Sequence, residues 1–253
     1  MQQFQPRGFS FLPVVVKNLL IINAIFFLAT IVFERTLHTD LIDILGLHYL
    51  SSEKFQPYQF ITYMFMHGSF GHIFFNMFAV WMFGSAIENF WGPKRFLIYY
   101  LITGIGAALI HYAIVYFELR PVISVLDAYI NDPSSVNLEN LQQLSFLKIS
   151  GIPNMAEVIE IKSQILNQPV IVGASGALFG LLLAFGMMFP NSVIYIYFAI
   201  PIKAKWFVIL YGAIELFSGV SKISGDNVAH FAHLGGMLFG FILIKLWKIK
   251  RVN

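Results

Sequence analysis

Gly173-Ala174-Ser175-Gly176 sets a small nucleophile between glycines inside an apolar stretch. A serine in such a helix ordinarily hydrogen-bonds back to a carbonyl one turn earlier and does nothing else. Flanking glycines change that expectation. They let a second backbone or a substrate come close, and they bare amide N–H groups that could hold a developing oxyanion. An imidazole to take the serine proton is available in Ala229-His230-Phe231-Ala232-His233-Leu234-Gly235-Gly236. His72-Ile73-Phe74-Phe75-Asn76 adds an imidazole and a carboxamide at i, i+4 on one helix face. Both can donate to an oxyanion; an interhelical hydrogen bond by Asn76 is an equal alternative. His67, five residues before His72, is read as holding the loop that precedes it.

The elements that must position these groups are membrane helices. The chain has 253 residues, of which 58% are hydrophobic and 11% charged. That charged share is about half the usual one. Mean hydropathy is +0.73, and 27 phenylalanines suit lipid-facing surfaces. Zero cysteines exclude disulfides, thiolate metal sites and a cysteine nucleophile. A net charge of +3 is too small to suggest nucleic acid as a partner. Six stretches approach the roughly 20 apolar residues a bilayer requires: 14–33, 69–91, 95–117, 169–189, 204–217 (short) and 227–247. Residues 193–202, rich in Ile, Tyr and Phe, could be extended, interfacial or the start of the fifth span.

Positive residues set the expected orientation. Arg7 and Lys17, Lys94 and Arg95, Lys203 and Lys205, and the basic tail 248–253 mark cytoplasmic segments, so both termini lie inside. The domain division expected is a cytoplasmic segment 1–13, a membrane domain 14–247 and that tail. Within the domain, 118–168 is a net acidic external insertion with one or two short helices between the third and fourth spans. No cleavable leader or transit peptide is read in the first 13 residues, which points to a bacterial inner membrane.

In this orientation the second, fourth and sixth spans run the same way, and their polar groups share one depth. Ser175 lies six residues past Pro169, about 9 Å below the outer boundary at about 1.5 Å per residue. His233 lies as far past Asn227, and His72 and Asn76 fall in the first two turns of the second span. Intramembrane ionisable residues are rare and turn towards a bundle interior or a wet cavity. Gly176-x-x-x-Gly180 and Gly236-x-x-x-Gly240 are small-residue stripes that allow the fourth and sixth spans to approach closely.

These residues resemble the rhomboid intramembrane serine proteases. The matching pieces are Gly173-Ala174-Ser175-Gly176, His72-x-x-x-Asn76 with His67 before it, and His233-x-x-Gly236-x-x-x-Gly240. Glu88-x-x-x-Gly92 at the inner end of the second span is a further family feature. The resemblance implies an all-α, six-helix bundle that cleaves transmembrane segments of other proteins, its substrates, within the lipid bilayer. It implies Ser175 as nucleophile, His233 rather than His230 as base, and His72, Asn76 and the Ser175 backbone N–H as oxyanion donors. Phe179 falls where an aromatic ring packs on the imidazole. No cofactor and no metal are expected. No acid lies near that depth in the fourth or sixth span, so the expected centre is a dyad, with a gate for substrate past Trp206, Phe207, Leu210 and Tyr211. Two departures stand out: Tyr58-Gln59 replaces a Trp-Arg pair common in the first external loop, and the insertion exceeds a minimal core.

Three rivals remain. A metal site could use His230-x-x-His233 with His67 or His72, although neither a His-Glu-x-x-His motif nor a nearby carboxylate is found. A transporter or channel would explain buried polar groups, yet no repeat or pair of broken helices is seen. A catalytically dead relative acting as a binding module is opposed by the presence of both Ser175 and His233. Physiological substrate, oligomeric state and source organism are not legible in the chain.

Overall fold

The computed structural model describes residues 9–147, 149, 151–196, 199–221 and 229–251. Arg7, Lys148, the expected start of the sixth span at Asn227 and the last two residues of the basic tail lie outside the described residues.

Long apolar runs become helices because lipid offers the backbone no hydrogen-bond partners of its own. Among the described residues, four helices are long and apolar enough to cross a membrane: α1 (Val14–Leu37), α2 (Phe70–Trp91), α3 (Pro93–Asn131) and, later in the chain, a helix over Ala204–Ser221. Helices α4 (Ser135–Gln142) and α5 (Met155–Asn167) follow α3. Two shorter apolar helices, α6 (Ser175–Met188) and α8 (His230–Leu246), flank α7, the helix Ala204–Ser221. The chain is an integral membrane protein, mostly helical.

Three expected boundaries are corrected. The fourth helix begins at Ser175, not at Pro169. Residues Val170–Ile171 instead form strand β2, antiparallel to β1 (Leu47–His48), with Leu47 opposite Ile171 and His48 opposite Val170. Gly173, at φ +114°, then turns the chain into α6. The sixth helix starts at His230, so Ser175 and His233 stand at helix mouths rather than two turns inside. The third helix does not stop at 117 but runs 39 residues, through Pro121. Residues 193–202 resolve as a hairpin, β3 (Val193–Ile196) against β4 (Ile200–Lys203).

The overrun of α3 gives the insertion its own small core. Leu126, Tyr129, Leu141 and Val158 are buried together where α4 and α5 fold back on it. Asn154 and Glu157 form a reciprocal capping box at the start of α5, and Lys162 pairs with Asp127 of α3.

At the other end of the bundle, Glu88 is buried and its carboxylate accepts from the backbone N–H groups of Val15 and Val16 at 2.9 and 2.8 Å. Those donors open the first turn of α1, where no earlier carbonyl can satisfy them and where the helix dipole favours an anion. The acid of the Glu88-x-x-x-Gly92 motif thus fastens α1 to α2.

The first loop is fixed without the arginine it was expected to need. Gln59 is fully buried. Its Oε1 accepts from the N–H groups of His48 and Gln56, and its Nε2 donates to the carbonyls of Ile44 and Lys54. A neutral carboxamide with every contact satisfied replaces a charge.

Candidate active site

The glycine stripes do what close approach requires. A Cβ on Gly236 would overlap the Gly176 carbonyl oxygen, and one on Gly240 would come within 3.4 Å of the Gly180 Cα, so α6 and α8 touch backbone to backbone. The Tyr99 hydroxyl of α3 donates to the Gly180 carbonyl at 2.8 Å and closes the packing from a third side.

At the mouth of that contact Ser175 Oγ and His233 Nε2 are 2.9 Å apart. Ser175 is half-buried and His233 is 8% exposed. The His233 ring lies flat on Phe179, centroids 4.2 Å apart and planes 6° from parallel. The structure therefore joins the serine, the imidazole and the aromatic ring that the sequence put on separate segments.

His72 and Asn76 face the same turn from α2. A Cβ on Gly173 would meet His72 Nε2 at 2.7 Å and Asn76 Nδ2 at 3.5 Å, so both nitrogens border the backbone two residues before Ser175. Asn76 is buried, and its Nδ2 lies 3.1 Å from His67 Nε2. Burial pushes the His67 imidazole down to about 4, with the neighbouring His72 adding to the effect. The neutral ring accepts from one amide hydrogen of Asn76 and leaves the other to point elsewhere. His67 is read from the sequence as a loop anchor; its Nδ1 lies 3.4 Å from the Phe65 carbonyl oxygen of the preceding segment, and its Nε2 also meets the carboxamide.

One residue of the site was missed. Glu215, on α7, is 8% exposed, and its Oε2 lies 2.8 Å from His233 Nδ1 and 2.7 Å from His230 Nδ1. Beside the expected pair, steadied by Phe179 and close helix contact, a carboxylate touches the far side of the imidazole. The acid search covered the fourth and sixth spans, whereas the acid sits in the fifth. An ionisable residue inside an apolar span was itself the signal. Glu215 also supplies the carboxylate the metal reading lacked, and Glu215, His230 and His233 each offer one ligand atom, all within 4.8 Å of one another. Both nitrogens lie at hydrogen-bond distance from a single oxygen, which suits two N–H donors on one carboxylate.

The class defined by this fold and site is a helical membrane protein with an alcohol and an imidazole in hydrogen-bond contact near one end of the bundle. A family model of the Rhomboid domain matches residues 54–120 and 137–248, and the chain belongs to the rhomboid family. The unmatched gap falls on the end of α3 and the start of α4. The chain is 28% identical over 182 residues to RHOMBOID-like protein 12, mitochondrial, of Arabidopsis thaliana, covering 70% of this chain and 42% of that protein. It is 25% identical over 178 residues to Rhomboid protein 1, mitochondrial, of Saccharomyces cerevisiae, covering 70% and 38%. A shorter match, 35% over 57 residues, covering 22% of this chain and 20% of the relative, is to Rhomboid-like protein 11, chloroplastic, of Arabidopsis thaliana. The chain thus spans about two fifths of the length of the first two relatives. None of these names supports the bacterial inner membrane expected from the sequence.

Proposed function

We propose that this protein is an intramembrane serine endopeptidase that hydrolyses peptide bonds in or near the transmembrane segments of membrane-protein substrates. The observation that carries the reading is the 2.9 Å contact between Ser175 Oγ and His233 Nε2. Serine needs a base to become a nucleophile. In this reading His233 Nε2 takes the Ser175 proton as Oγ attacks the substrate carbonyl carbon. It then returns that proton to the departing amine. A water molecule then loses a proton to His233 and attacks the acyl carbon; the bond to Ser175 Oγ breaks, the new carboxyl end is freed, and His233 returns the proton to Oγ. The tetrahedral oxyanion receives hydrogen bonds from the Ser175 N–H, His72 and Asn76.

The six crossings, with both termini on the cytoplasmic side and 118–168 outside, complete the proposal. Helices α6 and α8, 14 and 17 residues long, would span about 21 and 26 Å. The extended Pro169–Gly173 approach would make up part of the remaining depth.

Purified protein in proteoliposomes, given a generic single-span substrate, tests the function. Wild type cleaves it, while Ser175→Ala and His233→Ala lower the rate by at least about 10³-fold. A serine-directed fluorophosphonate labels wild type only. Cleavage that survives both substitutions would sink the proposal; an unlabelled, inert wild type would favour the binding-module alternative.

A further inference from the structure

Glu215 is an expensive residue where it stands. It sits on α7, an apolar helix, with 8% of its surface exposed. A carboxylate taken out of water persists only where hydrogen bonds or opposite charge compensate. Two imidazoles of α8 meet this carboxylate, His233 Nδ1 at 2.8 Å and His230 Nδ1 at 2.7 Å, and both reach the same oxygen.

We infer that Glu215 is a positioning residue for His233, so that the Ser175–His233 pair works as the inner part of a serine–histidine–carboxylate relay. The inference rests on the proteolytic reading above. A neutral imidazole carries one N–H, and the hydrogen bond at one nitrogen decides what the other can do. With Nδ1–H directed at Glu215, Nε2 presents its lone pair to the Ser175 hydroxyl, as a base must. The Phe179 stack cannot make that choice. Parallel rings fix the plane of the imidazole, but a half-turn within that plane leaves the stack intact while exchanging nitrogen for carbon. A directional contact on Nδ1 opposes the flip and also fixes which nitrogen carries the proton, which the Ser175 hydroxyl, able to donate or accept, does not.

The same carboxylate has a second effect. When Nε2 takes the serine proton the ring becomes a cation, and a fixed anion 2.8 Å from Nδ1 is already in place to stabilise it. His230 contributes from the other flank. Its contact holds Oε2 in line and keeps the carboxyl group from rotating away, which also explains a second histidine one turn before the base.

The test uses the full chain in proteoliposomes. Glu215→Gln is expected to lower kcat by about 100-fold, with KM within about twofold and the melting temperature close to wild type. Labelling by fluorophosphonate slows by a similar factor. Glu215→Asp, which restores the charge, is expected to recover part of kcat. A purely structural pin between α7 and α8 would instead lower the melting temperature and leave kcat intact in the folded fraction. That outcome, or Glu215→Gln turning over at the wild-type rate, overturns the inference. A measurement on wild type guards against a variant that does not fold: nitrogen-15 NMR of labelled histidine in micelles should find His233 protonated on Nδ1, and an Nε2–H tautomer overturns the assignment. Chelation by EDTA should leave kcat unchanged. A loss that added zinc restores would give the three side chains to a metal and overturn it as well. Loss of cleavage in Ser175→Ala and His233→Ala, with Glu215→Gln fully active, would reject the relay and leave the protease standing.

Discussion

Helices α6 and α8 meet backbone to backbone, whereas α7 leans on them through side chains and shows most of its surface to the outside. Gly176 and Gly236 leave no room for a methyl group between them. On α7, Trp206, Ile209, Phe217 and Val220 are all more than half exposed, and the contact with α6 at Gly186 is made chiefly by the side chain of Val208. The nucleophile and the imidazole come from the first region, and the carboxylate from the second. Two parts of one site are therefore held with different stiffness: the 2.9 Å contact by main chain, the 2.8 Å contact by a helix that can shift at smaller cost.

The sharpest way to break this contrast is Gly236→Ala. A methyl group there overlaps the Gly176 carbonyl, and neither backbone can yield without separating Ser175 from His233. Overpacking of this kind costs about 3 kcal/mol or more at such a site, and cleavage should fall below detection in proteoliposomes. Phe179→Leu comes next. It keeps most of the volume but removes the flat contact with His233. Stacking of this type is worth about 1 kcal/mol, so kcat should fall about fivefold with little change in melting temperature.

The pH dependence of stability probes the other side of the site, at His67 in the segment just before α2. Burial holds the His67 imidazole down to about 4, against 6.5 in the unfolded chain. Between those values the unfolded state binds a proton that the folded state refuses. The stabilisation is whole above pH 6.5 and is lost progressively as pH falls towards 4. A plot of melting temperature against pH should slope upwards through that window, and His67→Gln should flatten it. The mildest change is Gly186→Ala, the α7 counterpart of Gly236→Ala. Its methyl would meet Val208 Cγ2 at 2.5 Å and Cβ at 3.2 Å, a contact relieved by a small outward shift of α7 rather than by parting two backbones. A loss near 1 kcal/mol or less is expected, and urea or thermal melts of the two alanine variants side by side measure the difference in stiffness directly.

Much of this was legible in the chain. Ser175, His233, Phe179 and the two glycine stripes were readable because each leaves a local spacing. The polar groups come together as the spacing suggested, but at helix mouths and not within them, because a strand pair and Gly173 delay α6. The acid was missed because a partner can come from any neighbouring helix, and only packing decides which one. Gln59 shows the same limit. Its four contacts depend on how the first loop folds, which no periodicity encodes. The extent of α3 was not legible because the apolar run ends at 117, yet α4 and α5 supply a core that keeps the helix going through Pro121.

That third helix has a geometric consequence. Thirty-nine residues make a rod about 58 Å long, roughly twice the thickness of a hydrocarbon layer. Nearly half of that length exceeds what a hydrocarbon layer needs, and this surplus end, like a mast, carries the folded insertion, which is moored to the first loop through Asn167 and Ser52.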